Sequence, residues 1–240
     1  MLKINKDHIK KFEEIKNRFL SKTKIPQENN WEKLTNNDIW LSLITQVMVV
    51  GGSAPADKFN SNPVLKNKVS YENLIQIKRE EELKKKINEV LRTVGTRYAS
   101  HDISKCRKTN ALVYNLMILK SFRGGPKELL KKLSEFKGKN SDKKRIKYFM
   151  KIFKFIQSKS ARDNLMSLGF VKNAIALDIR IQKIFKKMGI QLPKGFENNP
   201  KLYDEIEKDI LIKICEPLGL LGVQFDRLLY QNYREIMKFI

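Results

Sequence analysis

Residues 159–181 read Lys159-Ser-Ala-Arg-Asp-Asn-Leu-Met-Ser-Leu-Gly169-Phe-Val-Lys-Asn-Ala174-Ile-Ala-Leu-Asp178-Ile-Arg-Ile181. The stretch contains a helix start, a glycine stop, an unbroken apolar tetrapeptide and then a single acid. Ser160 and Asp163 are spaced as a capping box, which predicts a helix over 160–168 that ends at Gly169. Lys159 stands at the positive end of that helix, where the dipole disfavours an ammonium and exposes the neutral amine. Asp178 follows Ala174–Leu177 and is surrounded by Ile175, Ile179, Ile181, Ile184 and Phe185 in a helix predicted over 176–188. A carboxylate in apolar surroundings must be hydrogen-bonded or paired. One reading makes Asp178 an N-cap that accepts from the next turn. The other gives it a chemical role, and the two are compatible because a helix N-terminus keeps a carboxylate ionised.

Outward from this stretch the period is helical throughout. Segments 4–20, 37–50, 79–93, 103–121, 126–136, 141–157, 201–215 and 219–238 read as further helices. They are separated by Gly51-Gly52, Gly95, Gly124-Gly125-Pro126, Gly138, Gly189 and Pro217. Period-two alternation is almost absent, its one tempting instance being Ala174–Ile181, and no repeat of 20–50 residues is visible. Ile39–Val50 is apolar almost all round, which marks a central helix, with Gln46 as the long polar side chain in its second half. From periodicity alone, Gln46 points outward or bonds a neighbouring turn. The expected fold class is all-α.

The chain has 240 residues, with 49 Lys and Arg against 26 Asp and Glu, a formal charge of +23 and a hydrophobic fraction of 41%. That fraction suffices for a sizeable core. No apolar run approaches the roughly 20 residues that span a bilayer, so an integral membrane protein is not expected. The charged first residues contain no signal-peptide core. Cys106 and Cys215 cannot build a disulfide framework, a structural zinc site or a four-cysteine iron–sulfur cluster, and a reducing cytoplasm is the expected compartment. The charge attracts polyanions and points to nucleic acid; a lysine-rich genome, a ribosomal-type role or membrane-surface binding would also produce it.

The residues quoted at the outset resemble the helix-hairpin-helix DNA glycosylases. In that superfamily a Lys-x-Ala-x-x-x-Leu helix is followed, 18 or 19 residues after the lysine, by an Asp in an apolar-Asp-x-His/Arg-apolar motif; Lys159 and Asp178 are 19 residues apart. Leu43-Ile-Thr-Gln46 is similar to the family's Leu-x-x-Gln segment. Val94-Gly95-Thr-Arg97-Tyr98, with the basic Lys105–Lys108 region, is similar to a glycine-led helix start. Gly125-Pro126-Lys-Glu-Leu129-Leu130 matches the helix before the hairpin, and Leu218–Tyr233 resembles the closing helix of the base pocket. The matches run in order from about residue 35 to 235. The chain departs where the family reads Leu-Pro-Gly-x-Gly: it has Phe155-Ile156-Gln157-Ser158, preceded by a lysine-rich insertion over 140–153. Among the branches it most resembles the archaeal 8-oxoguanine DNA glycosylase/abasic-site lyases.

The resemblance implies a single helical glycosylase unit over residues 1–240. A helical lobe would span about 35–122 and a helix-hairpin-helix lobe about 125–190, with the terminal helices completing the structure and the active site in the cleft between lobes. It implies a nucleoid-associated monomer in the cytoplasm, acting on double-stranded DNA that contains a damaged base, without metal or organic cofactor. Asp178 would stabilise the positive charge that develops on the sugar. Lys159 would attack C1′ and form a Schiff base whose beta-elimination nicks the strand. Lys143 and Lys144 of the insertion are alternative nucleophiles. Gln46 would fill the gap left by the flipped base, and Arg97 and Lys144 would hold phosphates. Gln224 and Phe225 rank first among base-binding candidates, ahead of Tyr230, Trp31 and Trp40, and core packing is the better reading of Trp40. The leading expectation is excision of 8-oxoguanine. The alternatives are a glycosylase of the same fold for alkylated purines or mispaired pyrimidines, and a non-enzymatic helical DNA-binding protein. On either DNA reading, affinity for undamaged duplex falls with salt at a log–log slope of about −5 if about six phosphates are neutralised. Titrations from low to moderate salt measure it, and a slope near zero would make the charge compositional.

Overall fold

In the computed structural model, which describes residues 2–138 and 140–240, every regular element among the described residues is a helix. The chain divides into two compact units. One is Asn30–Gln157, and the other joins the residues up to Asn29 with Ser158–Ile240.

The unit Asn30–Gln157 is built around Asn36–Met48, the helix expected to be central. Thr35 caps it, its Oγ1 accepting from Asp38 N at 3.1 Å while the Asp38 carboxylate accepts from Thr35 N at 2.9 Å. Trp40, Leu43, Ile44 and Val47 are buried, and Trp40 donates its indole N–H to Val69 O. Asn36 and Asn37 extend the tie: Asn36 Oδ1 accepts from Lys127 N at 2.8 Å, and Asn37 Oδ1 from Tyr71 N at 3.0 Å. Three short helices, Ala54–Asn60, Pro63–Lys68 and Tyr71–Ile75, occupy a stretch with no clear hydrophobic period. Their caps were nevertheless written in the sequence: Asn62 accepts from Leu65 N with Pro63 at the first position, and Ser70 from Asn73 N. Glu80–Thr93, Arg107–Ser121 and Pro126–Ser134 follow. Lys108, wholly buried, donates to Met48 O and Val50 O and so closes the end of the central helix. The helix Ser141–Ile152 is held by Arg145, which donates to Leu133 O and Phe136 O.

In the other unit, Lys6–Phe19 packs its buried Phe12, Ile15 and Phe19 into a core shared with Ile181, Ile184, Phe185, Phe225 and Leu229. Lys24 and Gln231 exchange two hydrogen bonds of 2.9 and 2.7 Å, and Lys16 donates to Leu218 O. These ties are why the first 29 residues belong with the C-terminal helices. The segment expected to form one helix over 219–238 breaks at Asn232 into Gly222–Gln231 and Tyr233–Phe239. The Asn232 amide donates to Leu228 O and to Thr23 Oγ1, turning the chain there. The division also differs from the expected lobes. Pro126–Ser134 and Ser141–Ile152 belong with Asn30–Gln157, not with residues 158–190, because Asn36, Leu133 and Phe136 anchor them there.

At the centre of this unit lies Arg162, 1% exposed, from the helix Ser158–Ser167. It grips Glu207 with Nε–Oε1 at 2.7 Å and Nη2–Oε2 at 2.8 Å, reaches Asp204 at 2.7 Å and donates to Ser158 O at 3.0 Å. Its guanidinium stacks 4.3 Å from the centre of the Tyr203 ring. Arg162→Met leaves Glu207 charged and unpaired in the core, so a loss of about 3–5 kcal/mol in stability is expected from urea unfolding. A loss under 1 kcal/mol would show that the pair is dispensable.

Candidate active site

Asp178 follows an irregular segment, its N–H donating to Ala176 O at 2.5 Å, and caps the helix Ile179–Lys187. Its Oδ1 accepts from Arg180 N and Ile181 N, each at 3.0 Å, and its backbone is extended at φ −78°, ψ 173°. The helix therefore starts three residues later than the period suggested, because Asp178 takes the cap position. Burial pushes the Asp178 carboxyl above the usual carboxylate range; the Ile181 and Arg180 amides and the charges of Lys159 and Arg180 pull the other way. Helix cap and raised carboxyl thus coincide in one side chain.

The lysine whose charge Asp178 feels is the second residue of the helix Ser158–Ser167. Lys159 is half-buried, with Nζ 3.7 Å from Asp163 Oδ2 one turn on. The expected capping box does not form there. The helix begins two residues before Ser160, which leaves Ser160 buried inside the first turn. Asp163 instead accepts from Arg227 Nη1 at 2.8 Å, and Arg227 Nη2 also donates to Ser167 Oγ at 2.9 Å.

The segment leading to Asp178 has no regular secondary structure, and each of three consecutive amides is met by a side chain. Ile175 N donates to Glu207 Oε1 at 2.8 Å, Ala176 N to Asp226 Oδ1 at 2.7 Å and Leu177 N to the Tyr203 hydroxyl at 2.7 Å. Tyr203 returns its proton to Ile175 O at 3.1 Å, and Gln182 Nε2 donates to Leu177 O at 3.0 Å. Gly222 permits the approach of the helix Gly222–Gln231: a Cβ there would lie 2.7 Å from both Ala174 N and Ala174 O. Sequence reading missed this set. Its signals were the spacing of Tyr203 and Glu207, four apart on one helix, and an acid at 226 inside the apolar run Val223–Leu229.

The other candidates separate. Phe225 is 0% exposed and meets the rings of Phe12 and Phe185 at 5.3 and 6.4 Å. It is a core residue with no face open to a base, which corrects its assignment to base binding. Gln224 is half-buried and its Oε1 accepts from Leu221 N at 2.8 Å. Trp31 and Trp40 are buried, whereas Tyr230 is half-buried with the Arg180 guanidinium 4.4 Å from its ring centre. Gln46 is buried in the central helix, which excludes the outward direction and leaves the bond to a neighbouring turn, and Arg97, Lys143 and Lys144 are exposed. Lys159 shares a unit with Asp178; Gln46, Arg97, Lys143 and Lys144 belong to the other. In the glycine-free stretch Phe155-Ile156-Gln157-Ser158, Phe155 takes the left-handed conformation, φ 62°, that glycine adopts without strain. Buried Asn115 holds that turn by accepting from Lys154 N at 2.8 Å and donating to Lys154 O at 3.0 Å. Among the described residues no helix is long and apolar enough to cross a membrane.

No family model and no curated protein matches the chain by sequence. Solved structures match it along nearly its whole length. The 8-oxoguanine glycosylase/lyase of Methanocaldococcus jannaschii, crystallised with a 15mer DNA containing 8-oxoguanine, superposes with a TM-score of 0.63 at 17% identity, over 95% of this chain and 98% of that one. A second structure of an 8-oxoguanine DNA glycosylase from the same organism gives 0.65 at 19%, over 94% and 92%. The 8-oxoguanine DNA glycosylase of Thermotoga maritima gives 0.57 at 23%, over 94% and 90%. The chain therefore shares the all-α fold of these three structures.

Asp226 carries a pH signature. Its burial lifts the carboxyl to about 7 against the pull of Arg227, with Asp163 and Asp178 adding to the rise. The folded state holds this proton more tightly than the unfolded chain, whose aspartates titrate near about 4. The stability so conferred is complete below about 4 and lost as pH rises through about 7. Asp226→Asn retains an acceptor for Ala176 N but has no proton to lose. Urea midpoints between pH 4.5 and 8 should decline less steeply in this variant than in the wild type, and parallel curves would contradict the raised value.

Proposed function

We propose that the protein is a DNA glycosylase with abasic-site lyase activity that excises 8-oxoguanine from double-stranded DNA. The observation that carries this reading is the placement of Lys159 and Asp178. Both stand at helix starts in one unit, with the lysine's charge acting on the carboxyl. Support comes from the shared fold, one of whose bearers was crystallised on DNA containing that lesion.

In this mechanism the damaged base is first turned out of the stack. As the bond between C1′ and the purine breaks, the bonding electrons leave with the base and positive charge grows on the sugar. Asp178, ionised, stabilises that charge at short range in a partly dehydrated site. Its carboxylate is set in direction by the Arg180 and Ile181 amides. Lys159 Nζ supplies the new bond to C1′. Asp163, 3.7 Å from Nζ, is placed to accept the proton the amine must lose, and Arg227 holds Asp163 in position. Ring opening gives a Schiff base, and loss of a C2′ proton with expulsion of the 3′ phosphate nicks the strand. Exposed Arg97 and Lys144 bind backbone phosphates. Gln46 fills the vacated stack once its side chain turns out of the central helix. Gln224, whose oxygen faces its own helix start, offers its NH2 group to the O8 edge of the base.

A panel of duplexes, each with one lesion, incubated with the protein and borohydride, tests the reading. Cleavage and a covalent adduct are expected on the 8-oxoguanine duplex. Lys159→Gln should abolish the adduct and the nick while leaving duplex binding nearly intact, and Lys143→Gln and Lys144→Gln should both still trap. Asp178→Asn should slow excision by about 100- to 1000-fold with binding retained. An adduct that survives in Lys159→Gln moves the nucleophile elsewhere. Absence of cleavage on every duplex removes the glycosylase reading.

A further inference from the structure

Three consecutive backbone amides before Asp178 are held by side chains from two different helices, and the spacing explains how. The amides of 175 and 177 meet one helix and that of 176 meets another. Alternate residues of an irregular segment are at most about 6.6–7 Å apart, the reach of a fully extended chain. Residues four apart on a helix are separated by about 6 Å along its axis and lie on one face. Tyr203 and Glu207, both on Pro200–Ile210, match that repeat and take the amides of Leu177 and Ile175. Asp226, on Gly222–Gln231, takes the amide of Ala176.

We propose that Tyr203, Glu207 and Asp226 are positioning residues for Asp178, clamping residues 175–177 from two helices so that its carboxylate stands in a fixed place relative to Lys159. The inference rests on the roles proposed above for Asp178 and Lys159.

Two chains of charged contacts run from the clamp to the lysine's own helix. Glu207 Oε1, which accepts from Ile175 N, is also gripped by Arg162 Nε at 2.7 Å, and Arg162 lies three residues after Lys159. Asp226 lies 3.4 Å from Arg227, which donates to Asp163 at 2.8 Å, and Asp163 pairs with Lys159 at 3.7 Å. Satisfying buried amides does not require such groups, since a neighbouring strand or a neutral hydroxyl suffices. Buried carboxylates and guanidinium groups are expensive to desolvate, but they fix geometry in direction as well as distance. A misplacement of about 1 Å at a reacting group lowers rate by about 100-fold, which gives a clamp of this kind its consequence for the reaction.

Tyr203→Phe is the sharpest probe. It keeps the ring, with its packing on Phe196 and under Arg162, and removes the hydroxyl that bonds Leu177 N and Ile175 O. Three measurements are made on the full chain: the carboxyl titration of Asp178 by carbon NMR, the single-turnover excision rate with the affinity for 8-oxoguanine duplex, and borohydride trapping on a duplex carrying a ready-made abasic site. The Asp178 midpoint should fall toward the ordinary range as the leader loosens and the carboxyl gains water. Excision should slow by about 10- to 100-fold while affinity stays within about twofold. Trapping at the ready-made site, where no glycosidic bond remains to be broken, should also stay within about twofold. In an Asp178→Asn background, Tyr203→Phe should slow excision no further, because a positioning residue acts only through the group it positions.

An unmoved midpoint, an unmoved excision rate or an additive loss in the double variant overturns the proposal. So does equal slowing of excision and trapping, which would indicate general loosening. Should Tyr203→Phe fail to unfold cooperatively, Asp226→Ala removes the other clamp without adding volume to a buried site and is read by the same measurements. If the wild type excises no base from any duplex, the glycosylase reading fails. The titration then decides alone whether Tyr203 places the Asp178 carboxyl.

Discussion

Glu207 Oε1 receives two donors, the Arg162 guanidinium and the Ile175 amide, each within 2.8 Å. Through this one oxygen the helix that carries Lys159 is joined to the irregular segment that ends at Asp178. Neither donor is free to move without stranding the others, because all three groups are buried and an unpaired charge there is far costlier than one at the surface. The ion pair makes no net claim on stability against a well-packed apolar core. What it confers is direction: a bidentate guanidinium–carboxylate contact constrains orientation in a way that methyl groups cannot. The relative placement of a half-buried lysine and a half-buried aspartate depends on that constraint.

Charge is partitioned to match. The chain carries 23 more basic than acidic residues, yet Asp163, Asp178, Asp204, Glu207 and Asp226 gather around Arg162 and Arg227 in one unit. Glu207 and Asp226, the two buried acids of this set, are paired with Arg162 and Arg227, so the surplus charge is carried by basic residues elsewhere in the chain. Burial lifts the carboxyls of Asp226 and Asp178, and at Asp226 the neighbouring Asp163 and Asp178 add to the rise.

Local backbone geometry bears the remaining demands. Gly222 admits the Ala174 backbone where any Cβ would collide, and that approach lets Asp226 reach the Ala176 amide. At the turn before Ser158, Phe155 accepts a left-handed conformation without being glycine, and Asn115 fixes the adjoining peptide through both its donor and its acceptor. A side chain within the unit Asn30–Gln157 thus supplies what a glycine would otherwise give that unit's last turn.

Much of this was legible in the chain itself. The helical period, the caps at Thr35 and Asp178 and the apolar central helix are local properties. A backbone amide one turn away, or a neighbour three or four residues on, decides them. The caps at Asn62 and Ser70 were equally local and were obscured only by weak periodicity in 54–75. What sequence could not reach were contacts between residues dozens of positions apart. Gln46 and Phe225 turned inward because neighbouring elements cover them, and periodicity assigns a face without saying what lies against it. Asp163 fits a capping box in sequence, but the long-range guanidinium of Arg227 claims its carboxylate. Tyr203, Glu207 and Asp226 belong together only because folding brings residues 175–177 between two helices that lie 26 to 50 positions later. Hydrogen bonds at such separations are set by packing, which no local pattern encodes.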